Sequence, residues 1–296
     1  MKIDGVFSGG GVKAYALVGA IRQVSEHNHT FERVAGSSAG ALMASLLASG
    51  FSIDEIEQIV EELDLQELLD PPAWTLFIPF SKWLNLYFRL GLYKGKKLEQ
   101  WIDHLLAQKG VYTFRDIKPG YLKVVVSDIS LGKLVVIPDD LQRIYGMDPN
   151  RFPIAKAIRM SAGFPYFFMP EKLQGDKKRK SLMVDGGLLS NFPLWIFENG
   201  RERKERPVLG MKLSGYPDGC EPHNIGNGLD MFHALFSTML EAHDARYVSK
   251  SDQHQIIFIP VDHIHATEFA LPDETKKQLI ETGTEEARLF LKRWPN

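Results

Sequence analysis

The sequence predicts an α/β fold in which a parallel sheet is covered by helices. Three observations carry that expectation. The first fifty residues alternate strand, helix, strand, helix, the order that builds parallel sheets. Apolar, β-branched runs recur late in the chain, at Val208 to Leu213 and Gln255 to Pro260, and read as further buried strands. The 296 residues are 44% hydrophobic and 24% charged, an ordinary globular balance that excludes a disordered or collagen-like chain. No repeat or low-complexity linker divides the sequence, so one domain over residues 1–296 is expected.

Ile3 to Phe7 is a short buried strand running into Ser8-Gly9-Gly10-Gly11. Val12 to His27 follows as a helix, with Ala16, Leu17, Ala20, Ile21 and Val24 at helical spacing. Phe31 to Ala35 is the second strand and ends in Gly36-Ser37-Ser38-Ala39-Gly40. Ala41 to Ser49 is a helix of small and apolar residues, closed by Gly50 as its C-terminal cap. Ser52 and Glu55 have the spacing of a capping box for a helix to about Leu63. Beyond a Pro- and Trp-rich segment at 71–93, Gly95 to Gln108 is helical. Tyr121 to Asp128 and Lys133 to Pro138 are strands joined at Gly132, and Phe152 to Ala162 is a helix. Ser181 to Val184 is a strand ending in Asp185-Gly186-Gly187, and helices at about 228–248 and 272–293 close the chain.

Charge and cysteine content narrow the functional classes. Lys plus Arg number 35 against 37 Asp plus Glu, a net charge of −2, so counterion release offers little affinity for nucleic acid. The run from Asp176 to Lys180 reads as a solvated hairpin tip. The single cysteine, Cys220, excludes an intramolecular disulfide and a multi-thiolate zinc site. The N-terminus lacks the apolar segment of a signal peptide, and no stretch supplies the ~20 apolar residues of a spanning helix. A cytoplasmic location is expected, with any membrane contact peripheral.

The chemistry-bearing residues fall into three places. Gly36-Ser37-Ser38-Ala39-Gly40 matches G-x-S-x-G between a strand and a helix, the context of a nucleophile elbow. Such a turn projects the Ser38 hydroxyl at a helix N-terminus, where a developing anion is favoured; the plainer reading is a capping loop. Ser8-Gly9-Gly10-Gly11 exposes consecutive backbone N–H groups that converge on one oxygen, as an oxyanion hole or as a phosphate cradle. Gly9-x-Gly11-x-x-Ala14 also fits a dinucleotide fingerprint, but that motif requires an acidic residue at the end of the second strand, and here the strand ends in Gly36-Ser37-Ser38. A serine needs a base. Ser38 follows only the second strand, which does not fit the Ser–His–acid topology. His243, His254, His263 and His265 sit in polar contexts, and His263-x-His265 is a weak metal signal. Asp185, at a strand tip before two glycines, is the better base, although aspartates also occupy such turns structurally.

At this point the sequence resembles the patatin-like phospholipases, serine acyl hydrolases, over about residues 3–213. Four blocks in family order carry the resemblance: Gly9 to Ala14, Gly36 to Gly40, Ala157 to Pro165 continuing to Pro170, and Asp185-Gly186-Gly187 followed by Asn191 and Pro193. One departure is Ala14, where the family has glycine; it is expected to narrow the turn, while Lys13 keeps the usual cationic character. The resemblance implies a three-layer α/β/α fold with a mainly parallel central sheet, completed by residues 214–296. It implies a Ser–Asp dyad, Ser38 as nucleophile and Asp185 as base, with no histidine, metal or cofactor. An oxyanion hole from Gly9, Gly10, Gly11, Val12 and Ala39 is expected around it.

The substrate this implies is a lipid ester, with phospholipids and lysophospholipids foremost. Trp74, Phe77, Phe80, Trp83, Tyr87 and Phe88, with Lys82, Arg89 and Lys94, form either an interfacial segment for a membrane surface over 73–93 or an aromatic filling of the acyl pocket. Phe164, Pro165, Phe167 and Phe168 are expected to shape an apolar channel near the dyad, and Ser161 is read as structural because it lacks an elbow. Two other readings stand beside the enzyme: a catalytically inactive module that docks lipid or a partner on the same fold, and a dinucleotide-binding protein.

Overall fold

A computed structural model describes residues 1–72, 81–175, 180–198, 206–214, 225–226, 231, 234–240, 244, 253–261 and 264–294, with 81–84 and 198 as backbone alone. Trp74, Phe77, Phe80, the side chains of Lys82 and Trp83, the tip at 176–179, Cys220, His243, His263 and much of the helix expected at 228–248 lie outside the described residues.

The main sheet has eight strands: β1 (Lys2–Phe7), β2 (Thr30–Ser37), β4 (Leu122–Asp128), β5 (Lys133–Ile137), β7 (Glu171–Gln174), β8 (Lys180–Asp185), β9 (Val208–Lys212) and β10 (Ile256–Phe258). Their order is β10-β9-β1-β2-β4-β8-β7, with β5 also on β4. The run from β10 through β4 is parallel, and β5, β7 and β8 pair antiparallel. β3 (Gly91–Tyr93) and β6 (Tyr166–Phe168) form a separate two-stranded parallel sheet. The result is a mixed, mostly parallel sheet flanked by helices. Alternate residues of the central strands enter different apolar clusters: Ile3, Phe7, Leu209, Met211 and Ile257 join one, Val6, Val208, Ile256 and Phe258 the other. Both faces are therefore covered, as parallel sheets require.

The glycine loop leads into a 3-10 turn, Gly11–Ala14, before helix α1 (Tyr15–Glu26) begins. α2 (Ala39–Ala48) follows β2 directly, and α3 (Ile53–Glu62) carries the capping box between Ser52 and Glu55 in full. α4 (Ser81–Arg89) precedes β3, α5 (Lys96–Gln108) starts after Gly95, and α6 (Ile154–Ser161) ends beside the site. The C-terminal helix, Asp273–Leu291, packs on α1, and the two approach closely because Gly19 faces the Ile280 carbonyl and Gly283 faces that of Ala16. Among the described residues, no helix is long and apolar enough to cross a membrane.

Candidate active site

The elbow shows why its residue types are needed. Ser38 lies between β2 and α2 with φ 52° and ψ −125°. A non-glycine residue held there stores of order 1–3 kcal/mol of strain. The flanking glycines serve a different end. A Cβ on Gly36 would collide with the backbone of Gly40, and one on Gly40 would collide with the carbonyls of Phe7 and Ser8. Backbone packing thus fixes both glycines and leaves the strained conformation to the serine.

Strand register brings Ser38 to Asp185. β2 runs parallel to β4 and ends with Ser37 opposite Val125. β8 runs antiparallel to β4 and ends with Asp185 opposite Val126. Because β5 occupies the other edge of β4 over Val124 to Asp128, β2 and β8 share one edge and meet there head to head. The Ser38 hydroxyl donates to Asp185 Oδ2 at 2.8 Å, and the Gly187 N–H donates to Asp185 Oδ1 at 2.7 Å. Burial pushes the Asp185 carboxyl up from 3.8 to about 7, against the lowering effect of the hydrogen bonds from Ser38 and Gly187. Such a group is poised to exchange a proton near neutrality.

Ser161, at the end of α6, is the residue whose place here the sequence concealed. Its hydroxyl accepts the Ser38 N–H at 2.8 Å and donates to the Val125 carbonyl at 2.6 Å. The same segment takes the Asp185 N–H on the Gly163 carbonyl at 2.9 Å and the Gly186 N–H on the Ser161 carbonyl at 3.2 Å. Gly186 is required at this seam because a Cβ would enter the Val125 carbonyl. The only sequence signal for this arrangement is the block from Ala157 to Pro165. Asp244, which accepts the Phe192 N–H at 3.1 Å and lies near Asn191, gave none.

The glycine loop differs from the expected cradle of five amides. The Gly9 N–H donates to the Asn191 carbonyl at 3.0 Å, and the Val12 N–H donates to the Ala266 carbonyl at 3.1 Å. Both are committed to backbone acceptors and are not available to a bound oxygen. Gly10, Gly11 and Ala39 have no such backbone bond among the described residues. Gly11 adopts φ +55°, and a side chain there would strike Ala266. Ala14 does not narrow the turn. Its φ of −62° and ψ of −13° are ordinary helical values that accept a Cβ.

Ser38, Asp185, Gly10 and Gly11 open on a cavity of about 240 Å³. One part is lined by Val60 of α3, by leucines of the segment after it, including Leu65 and Leu68, and by Leu98 and Ile102 of α5. Phe164, Phe168 and Phe269 line another part. Phe167 lies one ring further out, stacked on Phe269 at 4.9 Å, and Pro165 is not among the lining residues. The fully buried Arg159 holds this region in place. Its guanidinium donates to the carbonyls of Lys94, Gly95 and Met169 and sits over the Phe168 ring. Of the histidines singled out, His254 and His265 are described and neither lines the cavity. Among the described residues, no three His, Cys, Asp or Glu side chains are grouped to hold a metal ion.

A mostly parallel sheet flanked by helices, with a cavity at the strand tips, is an α/β architecture that holds its site beyond the ends of the strands. The chain belongs to the patatin-like phospholipase family, whose sequence model matches residues 5–198. That membership supports hydrolase activity on lipids. The chain is 47% identical over 294 residues to an uncharacterized protein, YqhO, of Bacillus subtilis (strain 168), covering 99% of each chain. It is 26% identical over 289 residues to the uncharacterized protein R571 of Acanthamoeba polyphaga mimivirus, covering 93% of this chain and 89% of the relative. Among solved structures, VipD from Legionella pneumophila shares the fold with a TM-score of 0.56 at 17% identity, over 99% of this chain and 67% of that one.

Proposed function

We propose that the protein is a lipid acyl hydrolase that cleaves carboxylic ester bonds of phospholipids or lysophospholipids through an acyl-serine intermediate. The observation that carries this reading is the 2.8 Å hydrogen bond from the Ser38 hydroxyl to Asp185 at the head of a largely apolar cavity. Ser38 Oγ attacks the ester carbonyl while Asp185 takes its proton. The carbonyl oxygen becomes an oxyanion facing the amides of Gly10, Gly11 and Ala39; each such donor is worth about 3–4 kcal/mol in the transition state. Collapse expels the alcohol, which takes the proton from Asp185. Water then attacks the acyl-serine, with Asp185 again as base, and releases the fatty acid and Ser38. A carboxyl that titrates near neutrality suits both halves of this cycle.

The test is a panel of phospholipid, lysophospholipid and neutral esters, with chelator present, assayed on wild type and Ser38→Ala. Hydrolysis by the wild type and its loss in the variant are expected, together with fluorophosphonate labelling of Ser38. Turnover that survives Ser38→Ala would overturn the assignment. A folded wild type that neither labels nor hydrolyses would favour an inactive lipid-docking module.

A further inference from the structure

The small sheet beside the cavity carries a surface that the proposed chemistry does not use. Tyr87 and Phe88, at the end of α4, are 78% and 73% exposed, and Leu90 and Tyr166 are 40% and 47% exposed. Solvated single hydrophobics are common, but four bulky ones in one neighbourhood mark a contact site. They are close because Gly91, the next residue after Leu90, pairs with Tyr166 across β3 and β6. The backbone presents two of them at a cost. Leu90 has φ +60° and Tyr166 φ +64°, a conformation that costs side-chain-bearing residues about 1–2 kcal/mol each. Strain of this kind persists at binding and functional sites.

Charge and position say what this face meets. Residues 81–97 contain Lys82, Arg89, Lys94, Lys96 and Lys97 and no Asp or Glu, in a chain whose net charge is −2. The carboxylate of Asp70, which lies against this stretch, is occupied by the backbone N–H groups of Gly95, Lys96 and Lys97. Phe164 and Phe168, on either side of Tyr166 in the chain, line the cavity, and Phe167 reaches it through Phe269. Exposed aromatic side chains in a stretch that carries five cations and no acid, beside phenylalanines that line a largely apolar cavity, match the boundary of an anionic bilayer, where rings enter the headgroup layer and Lys and Arg meet lipid phosphates.

We propose that Tyr87, Phe88, Leu90 and Tyr166, with Arg89 among them, form the face by which the protein docks on an anionic lipid bilayer and sets its cavity against the lipid surface. The proposal rests on reading the cavity as a lipid-ester site, but its test does not depend on catalysis. Wild type, Tyr87→Ser/Phe88→Ser and Arg89→Glu are sedimented with vesicles of phosphatidylcholine alone and of phosphatidylcholine with phosphatidylglycerol. The wild type is expected to sediment with the anionic vesicles and to be released at high salt. Partitioning is expected to fall about tenfold or more in each variant, while both keep the wild-type melting temperature and the wild-type rate on a water-soluble monomeric ester. A wild type that stays in the supernatant with anionic vesicles, or a double variant that sediments as the wild type does, would overturn the proposal. So would a wild-type dimer that the double variant dissociates without any vesicle binding, since the occupant would then be a second copy. A wild type that sediments but hydrolyses no ester would remove the hydrolase and leave the docking face in place.

Discussion

Replacing Asp185 with Asn separates the burial of a carboxylate from every other feature of the site. The amide has the same shape, its Oδ1 can still accept the Gly187 N–H, and its Nδ2 can donate to the Ser38 hydroxyl. What disappears is the charge, and with it the acceptor for the Ser38 proton. Raising the carboxyl from 3.8 to about 7 corresponds, at 1.36 kcal/mol per pH unit, to about 4 kcal/mol of preference for the protonated form. Between about pH 4 and 7 the folded chain therefore holds a proton that the unfolded chain has released. Its stabilising contribution is fully present below about pH 4 and is lost as the pH rises through about 7, by up to 1.4 kcal/mol per pH unit. Asp185→Asn carries no such slope. Urea unfolding of both proteins at pH 5, 6, 7 and 8 should show the variant gaining on the wild type by about 3 kcal/mol across the series, all other titrations cancelling in the difference. The same ionisation should appear in kcat/KM, rising about tenfold per pH unit below 7 and flat above it, and lost in the variant. Parallel stability curves would show that Asp185 ionises at an ordinary pH in the folded chain, and the account of a base tuned by burial would be wrong.

Three further outcomes follow from the geometry. Ser38→Gly should be more stable than Ser38→Ala by about 1 kcal/mol, or about 2 °C in melting temperature, because glycine occupies φ 52° without strain; equal melting temperatures would show that the elbow stores none. Ser161→Ala leaves the Ser38 N–H and the Val125 carbonyl without a partner and should cost about 1–3 kcal/mol in stability. Kinetically it should lower kcat with little change in KM, as steady-state assays on one ester would show. Leu98→Trp, on the lining face of α5, should lower hydrolysis of long-chain esters while sparing short-chain ones, read as the ratio of kcat/KM across a chain-length series.

What was legible in the sequence was whatever local spacing determines. Ser52 and Glu55 predicted a capping box because that motif is closed within four residues. The elbow was legible because strand, turn and helix are contiguous. Its limits were off by small amounts for a physical reason: β2 runs on to Ser37 because Gly36 and Ser37 still pair with β4. α1 starts three residues later than expected because the chain leaves the glycine loop through a tighter 3-10 turn. The sheet of β3 and β6 stayed hidden, since three-residue strands are too short to show alternation. The commitment of Gly9 and Val12 was hidden too, because their acceptors, Asn191 and Ala266, lie far along the chain. Sequence pattern counts amides; only tertiary structure shows which remain free.

The meeting of Ser38 and Asp185 is the deepest of these non-local facts, and β4 accounts for it. Two strands that end opposite Val125 and Val126 on one edge have their tips set by register alone. A slip of one residue would move the carboxylate by about 3.3 Å and turn it to the opposite face. Separation at that scale is ruinous where about 1 Å of misplacement can cost a hundredfold in rate. Register at so short a pairing needs a lock, and the end of α6 supplies one: it bonds the backbones of Ser38, Asp185 and Gly186 and the Val125 carbonyl from a single turn. Read this way, the block from Ala157 to Pro165 has no need to contact substrate. Its work is to keep two converging strands at the spacing that one hydrogen bond requires.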